Sequence, residues 1–417
     1  MFTEVFLFME QQELIPHLFR TEYRKITAVL GKFFGAENIE IAEDIASDTF
    51  LLASETWSIK GLPPNPAAWL YTVAKNKALD YLRRDANFNQ KIAEQIKLAS
   101  PEAEEMEIDL SEKNIVDSQL QMLFAVCHPS IPAEAQIALS LRILCGFGIN
   151  EIADAFLTNK ETINKRLFRA KEKLRTEKIK IEFPGLAEIN KRLDAVLTTL
   201  YLLFNEGYYS ASQDVTLRQD LCLEAMRLTY LLIENKSTNL PFVNALLSLM
   251  CFHSSRFEAR IDNNGETILY QDQDTSLWNQ ELIGKGEYFL NQAFEGNEVS
   301  KYHLEAGIAY WHTIQTDTKE KWKNILQLYN QLLQIEYSQV AALNRTYALS
   351  KANGKAEAII EAEKLKLDNS HLYHSLLGEL YTDVDNTKAI SNFKTALALA
   401  RSTADKGLIA KKIKEIR

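Results

Sequence analysis

The sequence predicts an all-α protein made of several helical units, with one small hairpin as the exception. Three observations carry this. The 417 residues include only 15 Gly and 9 Pro, each about half the usual ~7% and ~5%. So few turn-formers argue for long helices and against a many-stranded sandwich or barrel. Apolar residues recur at spacings of three and four, as in Ile163, Leu167, Ala170 and Leu174, which is one face of a helix. Charge also changes sign along the first part of the chain, which separates two helical modules by a charged linker. Hydrophobic residues at 46% and charged residues at 25% are ordinary for a globular protein.

The first module, residues 1–88, reads as helices over Gln12–Phe34, Ile39–Trp57 and Pro66–Arg84. Pro66 sits at a first turn, where its missing N–H costs nothing. Ser58–Asn65 is a Gly- and Pro-containing loop. Basic residues then dominate: Lys75, Lys77, Arg83, Arg84, Lys91 and Lys97. An acidic linker follows over 89–116. Its carboxylates run from Glu102 to Asp117 against Lys113 alone, and its few aromatics predict little fixed structure.

The second module, 117–182, reads as helices over Ser118–Ala125, Ala133–Cys145, Asn150–Phe156 and Lys160–Lys178. The short break at Leu157-Thr158-Asn159 makes the last two a helix-turn-helix, with Thr158 or Asn159 as cap. Opposite the apolar stripe of the last helix lie Thr162, Lys165, Phe168, Arg169 and Lys173. A major groove admits one α-helix, and Arg and Lys reach guanine edges and phosphates. A net charge of −9 means that any DNA-binding face must be local.

Residues 183–300 read as a helical middle domain containing a hairpin over Arg260–Tyr270 around an Asn-Gly turn. Residues 301–417 carry a repeat. Leu343-Asn344 with Tyr347 recurs as Leu377-Gly378 with Tyr381, an offset of 34, which is the tetratricopeptide period. Ala389, Phe393 and Ala396 are expected on a second helix, with Ala356 and Ile360 as their counterparts in the earlier copy. Stacked helix pairs form a concave surface suited to a protein partner.

Several classes are excluded. No stretch approaches the roughly 18–20 apolar residues of a membrane helix, and the N-terminus lacks the basic region and cleavage site of a signal peptide. Cys127, Cys145, Cys222 and Cys251 have neither Cys-x-x-Cys nor zinc-finger spacing. They read as reduced thiols of a cytoplasmic protein. Asn205, Glu206, His253, Asp272 and Asp274 could in principle form an acid–base or metal site. No nucleophile elbow, phosphate loop or His-Glu-x-x-His accompanies them, so no catalytic residue, cofactor or metal is assigned.

At this point the residues resemble a known family. Ala42–Phe50 followed by Trp57 resembles region 2.2 of bacterial sigma-70 factors, and Asn65–Arg84 resembles regions 2.3–2.4 of their extracytoplasmic-function (ECF) group. Glu151-Ile152-Ala153 through Lys171 resembles region 4. Leu202–Tyr208, Asp272–Asp274, Trp278 and Leu343-Asn344-Arg345 resemble the ECF group with a long tetratricopeptide-like extension. The turn departs from the usual region-4 pattern, because Asn159 stands where Gly would supply a left-handed conformation. The resemblance implies core RNA polymerase and promoter DNA as partners. It places polymerase docking on Asp44, Asp48, Glu55 and Trp57. It places −10 melting on Asn65, Lys75, Asn76, Lys77, Asp80, Arg83 and Arg84, with help from Tyr71, while Trp69, at the start of an apolar stripe, reads as core rather than as a second stacking ring. The −35 element falls to Thr162, Lys165, Phe168, Arg169 and Lys173. A helix-turn-helix regulator with a repeat-type sensor is the alternative. It leaves the first module unexplained.

Overall fold

The computed structural model describes every residue except 1, 89–107, 157, 186, 209–217, 262–267, 269, 297, 401–402 and 417. The chain divides into two compact units, Met1–Thr199 and Leu200–Arg417. No strand occurs among the described residues.

In the first unit, α1 (Phe2–Phe34), α2 (Ile39–Lys60) and α3 (Pro66–Phe88) surround a shared core. It contains Tyr23, Ile26, Leu30, Ile45, Phe50, Leu70 and Ala74. Asn65 begins α3 by accepting from the Ala68 N–H at 3.0 Å.

The next helix, α4 (Glu112–Val126), starts six residues before the expected Ser118. The acidic run supplies its start. Ser111 caps it, Asp109 accepts the Ser111 N–H at 2.8 Å, and Glu112 lies in the positive first turn. Ile115 then joins the core of α1–α3. Gly31 permits the close approach of α1 and α4, since a Cβ there would lie 2.5 Å from Met122 Cε. The rest of the acidic stretch, 89–107, lies outside the described residues.

Helix α5 (Ala133–Leu139) widens into a π-type turn over Ser140–Leu144. The helix-turn-helix follows as α6 (Ile149–Ala155) and α7 (Lys160–Thr176). Ile163, Leu167, Ala170 and Leu174 are buried, as their spacing requires. Asn159 caps α7 by accepting from Thr162 N–H at 2.8 Å. Its φ of −90° is extended, so the left-handed conformation expected at this Asn does not occur. A capping side chain that satisfies an orphan N–H favours the extended region.

The unit boundary falls within α8 (Ile189–Tyr208). The part of α8 before that boundary packs within the first unit: Arg192 Nη2 donates to the Phe124 carbonyl at 2.6 Å, and Thr199 Oγ1 to Gln136 Oε1 at 2.6 Å.

The second unit contains α9 (Gln219–Glu234), α10 (Pro241–Ser254), α11 (Gln280–Ala293), α12 (Lys301–Thr313) and α13 (Lys319–Ile335). Helix α10 is its apolar axis, with 11 of 14 residues buried, as befits a helix hydrophobic on all sides. The Asn-Gly turn of the expected hairpin lies outside the described residues. Its flanks are joined where Ile268 N–H donates to the Arg260 carbonyl at 2.8 Å.

The helix pairs continue through α14 (Gln339–Asn353), α15 (Lys355–Leu365), α16 (His371–Tyr381), α17 (Asn386–Leu399) and α18 (Thr403–Glu415). Leu343 and Leu377 are both buried at the expected offset. Ala356 and Ile360 are exposed, and Ala358 and Ala362 take the inner positions. The reason is loop length. Gly354 alone joins α14 to α15, whereas residues 382–385 join α16 to α17. Gly378 lets Phe393 pack closely, since a Cβ there would lie 2.8 Å from its ring.

Candidate nucleic-acid interface

The predicted residues of α7 divide into two sets. Lys165 and Arg169 are exposed, and no ion pair holds either among the described residues. Phe168 between them is 67% exposed. Thr162 is half-exposed. Lys173 is paired with Glu177 at 2.7 Å along its own helix. The other cations of α7 act as ties. Arg166 bonds Glu134 at 2.6 Å and lies over the Phe156 ring. Arg175 reaches Glu172, Glu40 and the Glu37 carbonyl.

Helix α2 presents a different surface. Its core stripe is Ala42, Ala46, Phe50, Ala53 and Trp57. Trp57 is 3% exposed and meets Trp69 edge-on at 5.3 Å. The expected surface anchor is therefore a core residue, because the 3–4 stripe ends on it. The exposed apolar groups of α2 are Leu51 (59%), Leu52 and Ile59 (85%). Asp44, Asp48 and Glu55 stand exposed on the same helix. Leu51 and Leu52 were legible as apolar residues off the stripe.

On α3, Asn76, Asp80, Arg83 and Arg84 are exposed, while Lys75 and Lys77 are half-buried. Lys77 reaches Asp48 of α2 at 3.6 Å, and Arg83 bonds Asp80 at 3.2 Å. Asn65 is used as a cap. Trp69 and Tyr71 are not free platforms. Trp69 packs on Trp57, and Tyr71 donates to Glu22 Oε2 at 2.5 Å. Burial and the Glu22 carboxylate push the Tyr71 phenol up. An exposed aromatic on α3 is Tyr81, edge-on to Phe34 and within one turn of Lys77 and Arg84. Its charged neighbours were the available signal.

The two modules meet. Glu43 of α2 is 5% exposed. It accepts from Arg142 Nε at 2.8 Å and from Lys171 Nζ of α7 at 2.5 Å. Arg20 and Glu151 add a bond at 3.1 Å. A cleft of about 410 Å³ beside this triad is lined by Asp44 from α2 and by Asn164 and Phe168 from α7. Part of each predicted face thus looks into the contact between modules.

The polar residues of the second unit do not converge. Asp272 and Asp274 are exposed, and Asp274 caps a turn by accepting from Ser276. His253 packs against Tyr208, and Glu206 is half-buried. Among the described residues no three His, Cys, Asp or Glu side chains are placed to hold a metal ion. All four cysteines are buried and outside any disulfide.

Residues 18–88 match the family Sigma-70 region 2, and residues 192–294 match a family of unknown function (DUF6596). An uncharacterized protein of Rhizobium meliloti is 32% identical over 378 residues, 89% of each chain. An ECF RNA polymerase sigma-E factor of Haemophilus influenzae is 27% identical over 36% of this chain and 78% of its own. A probable RNA polymerase sigma factor of the same organism is 22% identical over 32% of this chain and 75% of its own. No solved structure matches. No described helix is long and apolar enough to cross a membrane.

Proposed function

Because the chain belongs to the sigma-70 family of sigma factors and carries a C-terminal extension, we propose that it directs core RNA polymerase to promoters with −35 and −10 elements. The observation that carries this reading is the exposed, unpaired Lys165–Phe168–Arg169 face of a capped helix-turn-helix, beside a matching region 2. The −35 element falls to Lys165 and Arg169. The −10 element falls to the Lys77, Arg83 and Arg84 edge of α3, with Tyr81 as the stacking group that splayed bases require. Polymerase docks on Leu51, Leu52 and Ile59 framed by Asp44, Asp48 and Glu55, an apolar centre with a charged rim.

We read the packed modules as a closed state. Elements about 25 base pairs apart are about 85 Å apart on the duplex. Modules joined through Glu43, Arg142 and Lys171 cannot span that distance. Engagement of polymerase and promoter therefore requires the triad to break.

The division into region 2 (1–88), linker (89–116), region 4 (117–182), middle domain (183–300) and repeats (301–417) accompanies this proposal, with the helical repeats as a regulatory, partner-binding surface. The test is run-off transcription with core polymerase. The full chain and a truncation after Thr199 should both give promoter-dependent transcripts at different levels. No transcript from either would refute the sigma reading. Equal levels would remove the regulatory role of the extension.

A further inference from the structure

The junction of α10, α12 and α13 holds an excess of buried positive charge. Lys321, in the first turn of α13, is 2% exposed. Arg256, just beyond α10, is 8% exposed. Lys321 Nζ donates to Tyr270 Oη at 3.0 Å and to the Ile314 carbonyl at 2.7 Å. Arg256 Nη2 donates to Tyr208 Oη at 3.2 Å. Both cations face the Tyr270 ring, each 5.4 Å from its centroid. Arg260 stands over Tyr208 at 3.9 Å.

No carboxylate reaches Arg256 or Lys321 at ion-pair distance among the described residues. The acid that offsets Lys321 is Asp317, and it already accepts the Trp322 indole N–H. The nearby imidazoles bring no negative charge. Burial first, and then Arg256, pull His312 down to about 3, so it is a neutral ring. Arg256 Nε and His312 Nδ1 find no hydrogen-bond partner among the described residues.

Two desolvated like charges with only Asp317 to offset them are costly, because burial penalises each and their repulsion adds to it. The unpaired Arg256 Nε–H and the unpartnered His312 Nδ1 beside them add a further penalty. An anion removes both at once. The guanidinium fork matches the two oxygens of a carboxylate or phosphate, and the ammonium supplies a point charge.

We propose that this junction is a binding site for a small oxyanion, the phosphate or carboxylate group of a ligand, held by Arg256 and Lys321 with His312 as a neutral partner and Tyr270 as a wall. The site lies where the segment matching the family of unknown function meets the first helix pair of the repeats. Its occupancy would favour one packing of that junction over another.

The test is thermal unfolding of the full chain in chloride, inorganic phosphate or acetate at matched ionic strength. Equilibrium dialysis with labelled phosphate and labelled acetate measures binding directly. Phosphate excluded from the protein surface also raises an unfolding midpoint. That effect does not saturate and is the same in every variant. We expect a saturable rise with phosphate, with acetate or with both, and the responding anion identifies the group recognised. Arg256→Gln and Lys321→Met should weaken binding at least tenfold. Each should also unfold at a higher temperature than the parent in chloride, because one of two mutually repelling buried charges is gone. Lys323→Gln, an exposed neighbour, should bind as the parent does. If a variant does not fold, dialysis of the parent still decides the matter. No saturable binding of either anion to the parent, or equal binding by both folded variants, would overturn the site.

Discussion

Lys171 of α7 donates to Glu43 of α2 at 2.5 Å, so the helix proposed to read DNA is held to the helix proposed to carry the docking surface. Arg142 shares the same carboxylate at 2.8 Å. The face of α7 turned toward α2 is therefore occupied by protein, while Lys165 and Arg169 remain in solvent. This ionic contact adds to the apolar one between Gly31 of α1 and the buried Met122 of α4.

Glu43→Gln should destabilise the first unit by about 1–3 kcal/mol. Loss of one partner of a fully buried pair costs about 3–5 kcal/mol. Here Arg142 and Lys171 keep 21% and 17% exposure and can rehydrate. Denaturant unfolding reads the stability, and small-angle scattering should show a larger radius of gyration. An unchanged radius would mean that the triad does not hold the modules together.

Leu51→Ser with Leu52→Ser should weaken binding to core polymerase at least tenfold and lower the unfolding midpoint far less than loss of a core residue does, since Leu51 is 59% and Leu52 37% exposed. Trp57→Ala should do the reverse. Removing a buried Trp costs about 3–5 kcal/mol, and any loss of binding should follow loss of fold. Circular dichroism beside a polymerase pull-down separates the two. Full binding by the Leu51/Leu52 variant would move the docking surface elsewhere.

Lys165→Ala and Arg169→Ala should each cost about 1–3 kcal/mol at a preferred −35 sequence if the contact is to a base edge. A contact to phosphate alone would instead reduce the salt slope by about one unit for all sequences. Lys173→Ala should matter less, because Glu177 already holds that ammonium. Fluorescence anisotropy across a salt series measures all three. Equal losses at Lys173 and Arg169 would contradict the division of α7 described above.

Glu305 introduces a pH dependence in the second unit. Burial pushes its carboxyl up to about 7, opposed by the Tyr201 hydroxyl and Lys301 and reinforced by Glu336. A raised carboxyl pKa means that the folded state binds the proton more tightly than the unfolded chain. Stability from this group is present at pH 4–5 and is lost as pH rises through about 7. Glu305→Gln should flatten that part of the unfolding profile between pH 5 and 8 and raise the midpoint at pH 8. An identical slope in the variant would show that another group titrates.

Much of the site was legible in residue order. The α7 stripe of Ile163, Leu167, Ala170 and Leu174 fixes which face is solvent, and so points to Lys165 and Arg169. The Pro66 start of α3 and the 34-residue offset of Leu343 and Leu377 follow from local backbone chemistry and periodicity. What was misjudged depended on partners distant in sequence. Trp57 looked like an anchor because an amphipathic helix does not reveal where its apolar stripe ends. Only its contact with Trp69 across the core shows that it lies inside. At Asn159 a cap and a left-handed turn were both open, because they use the same residue types, and the structure uses the cap.

The sequence by itself therefore determined the all-α class, the helix-turn-helix and the exposed basic pair, because periodicity and capping act within a few residues. Tertiary structure decided which cations are available and which are bound. Lys171, Arg166 and Arg175 are as basic in the sequence as Arg169, but Glu43, Glu134 and Glu40 reach them from other helices. The same holds for Arg256 and Lys321, 65 residues apart, which share the Tyr270 ring only once α10 and α13 have packed. Coulomb interactions depend on distance through space, and spacing along the chain encodes that distance only within a single helix or turn.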